Sequence, residues 1–218
     1  MKQQLALLFI FSSLLVTGCS NASDSKKKET EVSSVRPQMT SKKFSPEDQK
    51  IIDKYNKEVE DIPQEDEEKF HSRLKKLIPE VNQISDKTER EKKLMSIYLI
   101  VGMYNEAYTL NEQQLADKPS DPALLLFKCH LLDLLKKNKN TVTQCYDTAA
   151  TTFKNELDKP SIKSTPNYQR DKFTYLVMMI KGGHPEYKQK AEDFIANTKD
   201  GKMKEWVKSL YETEVGKQ

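Results

Sequence analysis

The chain has 218 residues, with 36 Lys and Arg against 33 Asp and Glu and a formal net charge of +3. The slight basic excess sits ahead of residue 44, so the body carries no electrostatic footprint for a nucleic acid. Six glycines in all, a wealth of Lys, Glu, Leu and Ala, and no sustained alternation of Val, Ile and Thr exclude a sheet protein and predict an all-α fold.

The first element is a leader. Lys2 supplies a short positive region, Leu5 to Val16 an apolar stretch broken only by Ser12 and Ser13, and Val16-Thr17-Gly18-Cys19 a run of small residues into a cysteine. The stretch is short for a transmembrane helix, which needs about 20 apolar residues, and no stop-transfer flank follows. A secretory signal peptide over residues 1–18 is the reading, and the residues alone also allow an ordinary cleaved signal before a chance cysteine. The ending resembles the lipobox of bacterial lipoproteins, in which the cysteine thiol is diacylated, the peptide is cut before it, and the new amine is acylated with a chain such as palmitate. The resemblance makes Cys19 the lipid-bearing first residue of the exported chain. Two or three acyl chains hold a protein to a bilayer far better than one, at roughly 0.8 kcal/mol per buried CH₂. By the sorting rule of enteric lipoproteins, Ser20 rather than Asp after the cysteine points to the outer membrane. Two further cysteines suit an oxidising periplasm better than a Gram-positive surface.

Residues 19–44 read as a lipidated, disordered tether, because Ser20 to about Lys43 is rich in Ser, Lys, Glu and Thr and has no aromatic side chain to bury. Its span of roughly 25–30 Å would hold a folded body clear of the lipid. Lys26-Lys27-Lys28 could touch anionic head groups, at about 1 kcal/mol each, but also serves as plain solubilising charge.

Residues 45–218 read as one helical domain. Ser45-Pro46-Glu47-Asp48 starts a first helix to about Glu60. Pro63 opens a second, with Phe70, Leu74, Leu77 and Ile78 on one face until Pro79 interrupts it. Asp86 with Glu89 forms a capping box for a third through Leu94, Ile97, Tyr98 and Val101, ended by Gly102. A fourth runs to about Asp117. Asp121-Pro122 caps a very apolar fifth, and after a polar turn at 137–140 the chain returns over Thr141 to Leu157. Pro166 to Lys181, Pro185 to Asn197 and Lys202 to Val215 complete the series. Short turns make neighbours antiparallel, so the expectation is stacked helical hairpins.

One hairpin carries a family's marks. Gly102-Met103-Tyr104-Asn105-Glu106-Ala107, then Leu115, Pro119 and Asp121, with Leu94, Met95 and Tyr98 upstream, resembles a tetratricopeptide repeat of about 34 residues over Thr88–Asp121. Pro122 to about Glu156 fits with extra residues in its turn, and about Pro166 to Asn197 fits loosely. The resemblance implies a right-handed superhelix of stacked pairs; the same helices also allow a generic bundle. It further implies a partner groove lined by the first helix of each pair, which would present Lys92, Ser96, Leu99 and Ile100, then Leu126, His130 and Asp133.

Reactive motifs are lacking: there is no GxSxG, GxxxxGK[ST], HExxH or CxxC. His71 and His184 sit in charged or turn sequence and His130 in an apolar helix, where a partly buried ring with a polar partner is expected; no metal, cofactor or enzymatic activity is expected. If 122–138 and 141–157 form a hairpin, Cys129 and Cys145 fall opposite each other, and the repeat resemblance also puts them at positions that touch. A disulfide and two buried free thiols both fit.

A tethered stack of hairpins reads as a protein-binding scaffold or assembly factor for an envelope protein machine, with an envelope or periplasmic protein as partner. An immunity or inhibitor lipoprotein against a periplasm-acting toxin or hydrolase is the alternative. The anchor is open to test: Cys19→Ala is expected to stay as uncleaved precursor, or to be cut elsewhere without an acyl label, whereas soluble, unacylated wild-type protein in the periplasm would refute lipidation.

Overall fold

The computed structural model describes residues 43–60 and 66–216. Cys19, Ser20, the lysine run of the tether and Pro63 lie outside them. The described residues form ten helices: α1 Pro46–Glu60, α2 Glu67–Val81, α3 Lys87–Ile100, α4 Tyr104–Asp117, α5 Pro122–Leu134, α6 Lys139–Leu157, α7 Pro160–Lys163, α8 Tyr168–Lys181, α9 Tyr187–Asn197 and α10 Gly201–Glu214. The fold is all-α, and adjacent helices pack in pairs. Read from sequence as one domain, these helices group into two compact units, one of the described residues up to Ile97 and one from Tyr98.

In the N-terminal unit the Asp48 amide donates to the Ser45 hydroxyl at 3.0 Å, capping α1. Asp48 itself is buried, and its carboxylate accepts from the Ser85 amide at 2.8 Å and the Ser85 hydroxyl at 2.6 Å. Those two bonds hold the carboxyl below the usual carboxylate range and fasten the turn after α2 to the start of α1. Lys54 with Glu80 at 2.6 Å and Arg73 with Glu58 at 3.3 Å run α1 and α2 antiparallel. The Lys93 ammonium meets Asn56 at 3.1 Å, a separation of 37 residues that equals that of Asp48 and Ser85. An equal offset at both ends sets α3 parallel to α1.

The second helix does not stop at Pro79. It continues to Val81, with the buried Phe70, Leu74, Leu77 and Val81 on one face. Pro79 is exposed and one turn from the end, so its missing N–H removes a single hydrogen bond. Full burial of Val81 and Ile84 draws the last turn inward and outweighs that loss.

The C-terminal unit is punctuated as its sequence suggests. Gly102 takes φ +74°, and the Met103 amide donates back to the Tyr98 carbonyl at 2.8 Å, the closing bond of a left-handed helix end. Asp121 accepts from the Ala123 and Leu124 amides at 2.9 and 3.2 Å and starts α5. α5 ends on Lys136 at φ +52°, a conformation ordinarily left to Gly or Asn, and α6 begins earlier than the expected Thr141 because Asn138 caps it through the Thr141 amide at 2.9 Å. α7 is a short turn that the sequence reading leaves out.

α5 packs on α6, α6 on α8, and α8 on both α9 and α10. Phe173 meets Trp206 and Lys181 meets Glu214, each pair 33 residues apart, so α8 and α10 lie parallel. At the heart of the unit Cys129 and Cys145 form a disulfide with 5.5 Å between Cα atoms, among Leu126, Leu132, Tyr146, Ala149, Ala150 and Phe153. The bond closes a loop with a sequence separation of 16 and removes about 3 kcal/mol of freedom from the unfolded chain on the loop-entropy estimate. Reduction under native conditions is therefore expected to lower the melting temperature by roughly 6–12 °C, read by calorimetry with and without reductant; an unchanged melting temperature would show that the crosslink contributes nothing.

Candidate functional site: a polar cluster on four helices

Next to the disulfide, each partner's following residue makes a second rung between α5 and α6. His130 is buried, and its Nδ1 lies 3.1 Å from the hydroxyl of Tyr146, which is also buried and meets the imidazole edge-on. The Tyr146 hydroxyl donates to Asp133 Oδ2 at 3.2 Å. With that proton committed, the arrangement that satisfies both bonds puts a proton on His130 Nδ1, donating to the phenolic oxygen.

Two later helices complete the cluster. Lys181, at the end of α8, places its ammonium 2.9 Å from Asp133 Oδ2, 2.7 Å from Glu214 Oε2 and 4.6 Å from the centre of the Tyr146 ring. Glu214, the last residue of α10, brings the same carboxylate oxygen to 3.9 Å from His130 Nδ1. Four helices, α5, α6, α8 and α10, thus meet through five side chains. One cation answers two carboxylates, and the aromatic face adds further attraction for it.

Burial sets the protonation states. It drives His130 down to about 4; the negative Glu214 and Asp133 oppose that shift, and the positive Lys181 adds to it. The imidazole is therefore neutral at pH 7. Burial pushes the Glu214 carboxyl up, but the positive charges of His130 and Lys181 outweigh it and the net shift is downward. With His130 neutral, Lys181 alone carries that attraction at neutral pH. Tyr146 rises well above its ordinary value, first through burial and then through Asp133 and Glu214.

The groove residues expected from sequence fall in different surroundings. Lys92 is exposed and Ser96 half-buried in the N-terminal unit; Leu99 and Ile100 are half-buried and belong to the C-terminal one. Leu126 is only 3 % exposed and packs in the disulfide core, so it offers almost no surface of its own. His130 is likewise withdrawn, because its edge is filled by Tyr146. Asp133 is exposed, but its carboxylate is already held by Lys181 and Tyr146. The structure brings His130 and Asp133 together, as members of an internal clasp.

The other two histidines are tied as well: His184 Nε2 lies 2.8 Å from Asp147 on α6, and His71 lies 3.9 Å from Glu67. Among the described residues no three His, Cys, Asp or Glu side chains are placed so that they could hold a metal ion. Tyr146, Lys181 and Glu214 escape the sequence reading. The first was within reach, since the hairpin count that opposes Cys129 to Cys145 also opposes His130 to Tyr146; no local pattern announces the other two.

No protein-family model matches the chain, no curated protein matches its sequence, and no solved structure matches its fold.

The cluster's pH dependence follows from His130. Its folded value lies below its unfolded value of 6.5, so between those values the unfolded chain binds the proton and the folded chain resists it. Stability is full above that window and falls as pH drops from 6.5 to about 4, by about 3 kcal/mol. His130→Gln keeps a hydrogen-bonding group beside Tyr146 and does not titrate. It is expected to flatten urea midpoints across that window, and a slope identical to wild type would place the acid sensitivity elsewhere.

Proposed function

We propose that this protein is a lipid-anchored scaffold on the periplasmic face of the outer membrane that binds an envelope protein through its helical hairpins, built on a tetratricopeptide-like plan. The observation that carries the reading is the parallel recurrence of helices two places apart within each unit, α1 with α3 and α8 with α10. The offsets of 37 residues between α1 and α3 and 33 between α8 and α10 lie close to the family's period of about 34. The turn at Gly102 and the fully buried Ala107, where α4 lacks a bulky side chain, support the same plan. Stacked pairs of this kind offer extended surfaces for protein partners.

The compartment is supported from two sides. The Cys129–Cys145 disulfide suits an oxidising, extracytoplasmic setting. Among the described residues no helix is long and apolar enough to cross a membrane, and the attachment we propose is the lipid on Cys19. Binding, rather than catalysis, is the task we assign, and the partner is a protein rather than a nucleic acid.

The contact face within this reading is the exposed side of α3 around Lys92 in the N-terminal unit. Lys92 and the half-buried Ser96 follow at i and i+4 on one side of the helix. Asp133 is unsuitable as a probe, because its loss would open the internal clasp. A photo-crosslinking side chain at Ser96 is expected to capture one discrete envelope protein in cells, and Lys92→Glu to cut its yield several-fold with helicity and melting unchanged. Lys154→Glu, on the exposed side of α6, is expected to be silent, since a surface charge change alters stability by under about 0.5 kcal/mol. Undiminished capture by Lys92→Glu would remove α3 as the binding face.

A further inference from the structure

The C-terminal unit carries a cleft of about 720 Å³ between α8, α9 and the turn into α10. Its floor is apolar. Leu176 is buried, and Phe194 and Met203 are half-buried with their remaining surface toward the opening. Such a floor accepts one bulky apolar side chain, and the volume lies within the range of ligand pockets, roughly 300–1,000 Å³.

The rim is charged in a particular way. Lys172, Lys190 and Lys199 line it and are exposed, against Asp193 and Asp200. Each aspartate is held in place by a neutral donor: Asp193 accepts from the Gln189 side chain at 2.9 Å, and Asp200 accepts from the Met203 amide at 2.7 Å as the cap of α10. Thr198 spends its hydroxyl proton on the Phe194 carbonyl, and Asn197 spends its amide on Asp193. The lysines are not so committed. The Lys172 ammonium stands 5.9 Å above the Phe194 ring, over the floor itself, and the Lys190 ammonium lies on the face of Tyr187 at 3.7 Å. Three lysines against two aspartates leave the rim net positive around an apolar floor.

From this complementarity we infer that the α8–α9–α10 cleft docks an acidic peptide segment of a partner protein, one apolar side chain seated on Leu176, Phe194 and Met203 and flanking carboxylates on Lys172 and Lys199. The occupant is a segment lying across the opening and not an enclosed small molecule, because the cleft is open along one side and could not cover most of a small ligand's surface. Charge around an apolar anchor speeds encounter and fixes register, while the anchor supplies the residence time. The site is distinct from the α3 face, so the two readings fail separately: Lys92→Glu leaves this cleft intact.

The test uses the full mature chain with its methionine methyls isotope-labelled, and a synthetic peptide with Phe between pairs of Asp and Glu. Saturable movement of the Met203 methyl signal is expected, weakened by added salt. The peptide with Ser in place of Phe is expected to lose it. Lys172→Glu combined with Lys199→Glu is expected to weaken binding by about tenfold or more while circular dichroism and melting stay as in wild type. Lys204→Glu, off the cleft, is the control and is expected to bind normally. Absence of saturation, equal binding of a Lys-flanked peptide, or a Met203 response to phosphatidylglycerol vesicles without one to the acidic peptide would each overturn the assignment.

Discussion

The ammonium of Lys181 is the point on which the C-terminal unit depends. It is nearly withdrawn from water, and a lysine so placed loses several kcal/mol of hydration that only well-placed acceptors can return. Asp133 and Glu214 return it from two sides and the Tyr146 ring from a third. Because those acceptors come from α5, α10 and α6, the requirement to satisfy one nearly buried charge ties three other helices to the end of α8. Removing any partner leaves a charge in a poorly hydrated place, which is why such a cluster enforces a single arrangement more than it adds net stability.

The disulfide and this clasp are neighbours by construction. Cys129 precedes His130 and Cys145 precedes Tyr146, so the covalent bond and the imidazole–phenol bond are successive rungs between the same two helices. The first restricts the unfolded chain; the second selects one register in the folded state. The N-terminal unit uses another device with the same logic. There Asp48 is satisfied by Ser85 across 37 residues, and Lys93 lies over Tyr55 beside Asn56 and Glu89. In both units a buried polar group, rather than apolar contact alone, decides which helices lie parallel.

These devices bear on function because they divide the polar residues into two sets. His130 and Asp133 are occupied within the fold and serve its geometry. Lys92 on α3 and the lysines around Leu176, Phe194 and Met203 are exposed and carry the chemistry proposed for partners. Helices fixed by such clasps suit that role, since a surface held in one arrangement spends little of its binding energy on ordering itself.

The local order of the chain was legible in its residues. Ser45, Asp121 and Gly102 act through hydrogen bonds and dihedral angles within a few positions, so the starts of α1 and α5 and the end of α3 could be read one turn at a time. The Cys129–Cys145 pair was legible for a related reason: two helices joined by a short turn oppose residues by simple counting. Pro79 misled because proline's cost is local, whereas the burial of Val81 and Ile84 that overrides it comes from packing. The division of the helices at Ile97, inside an unbroken α3, left no mark in composition. Leu126 and His130 were placed on a groove because helical periodicity names a face but not what covers it. Only the tertiary structure could set Glu214 on Lys181 and both beside His130, since charges far apart in sequence meet by how helices stack, and stacking is the sum of many contacts that no short stretch of residues encodes.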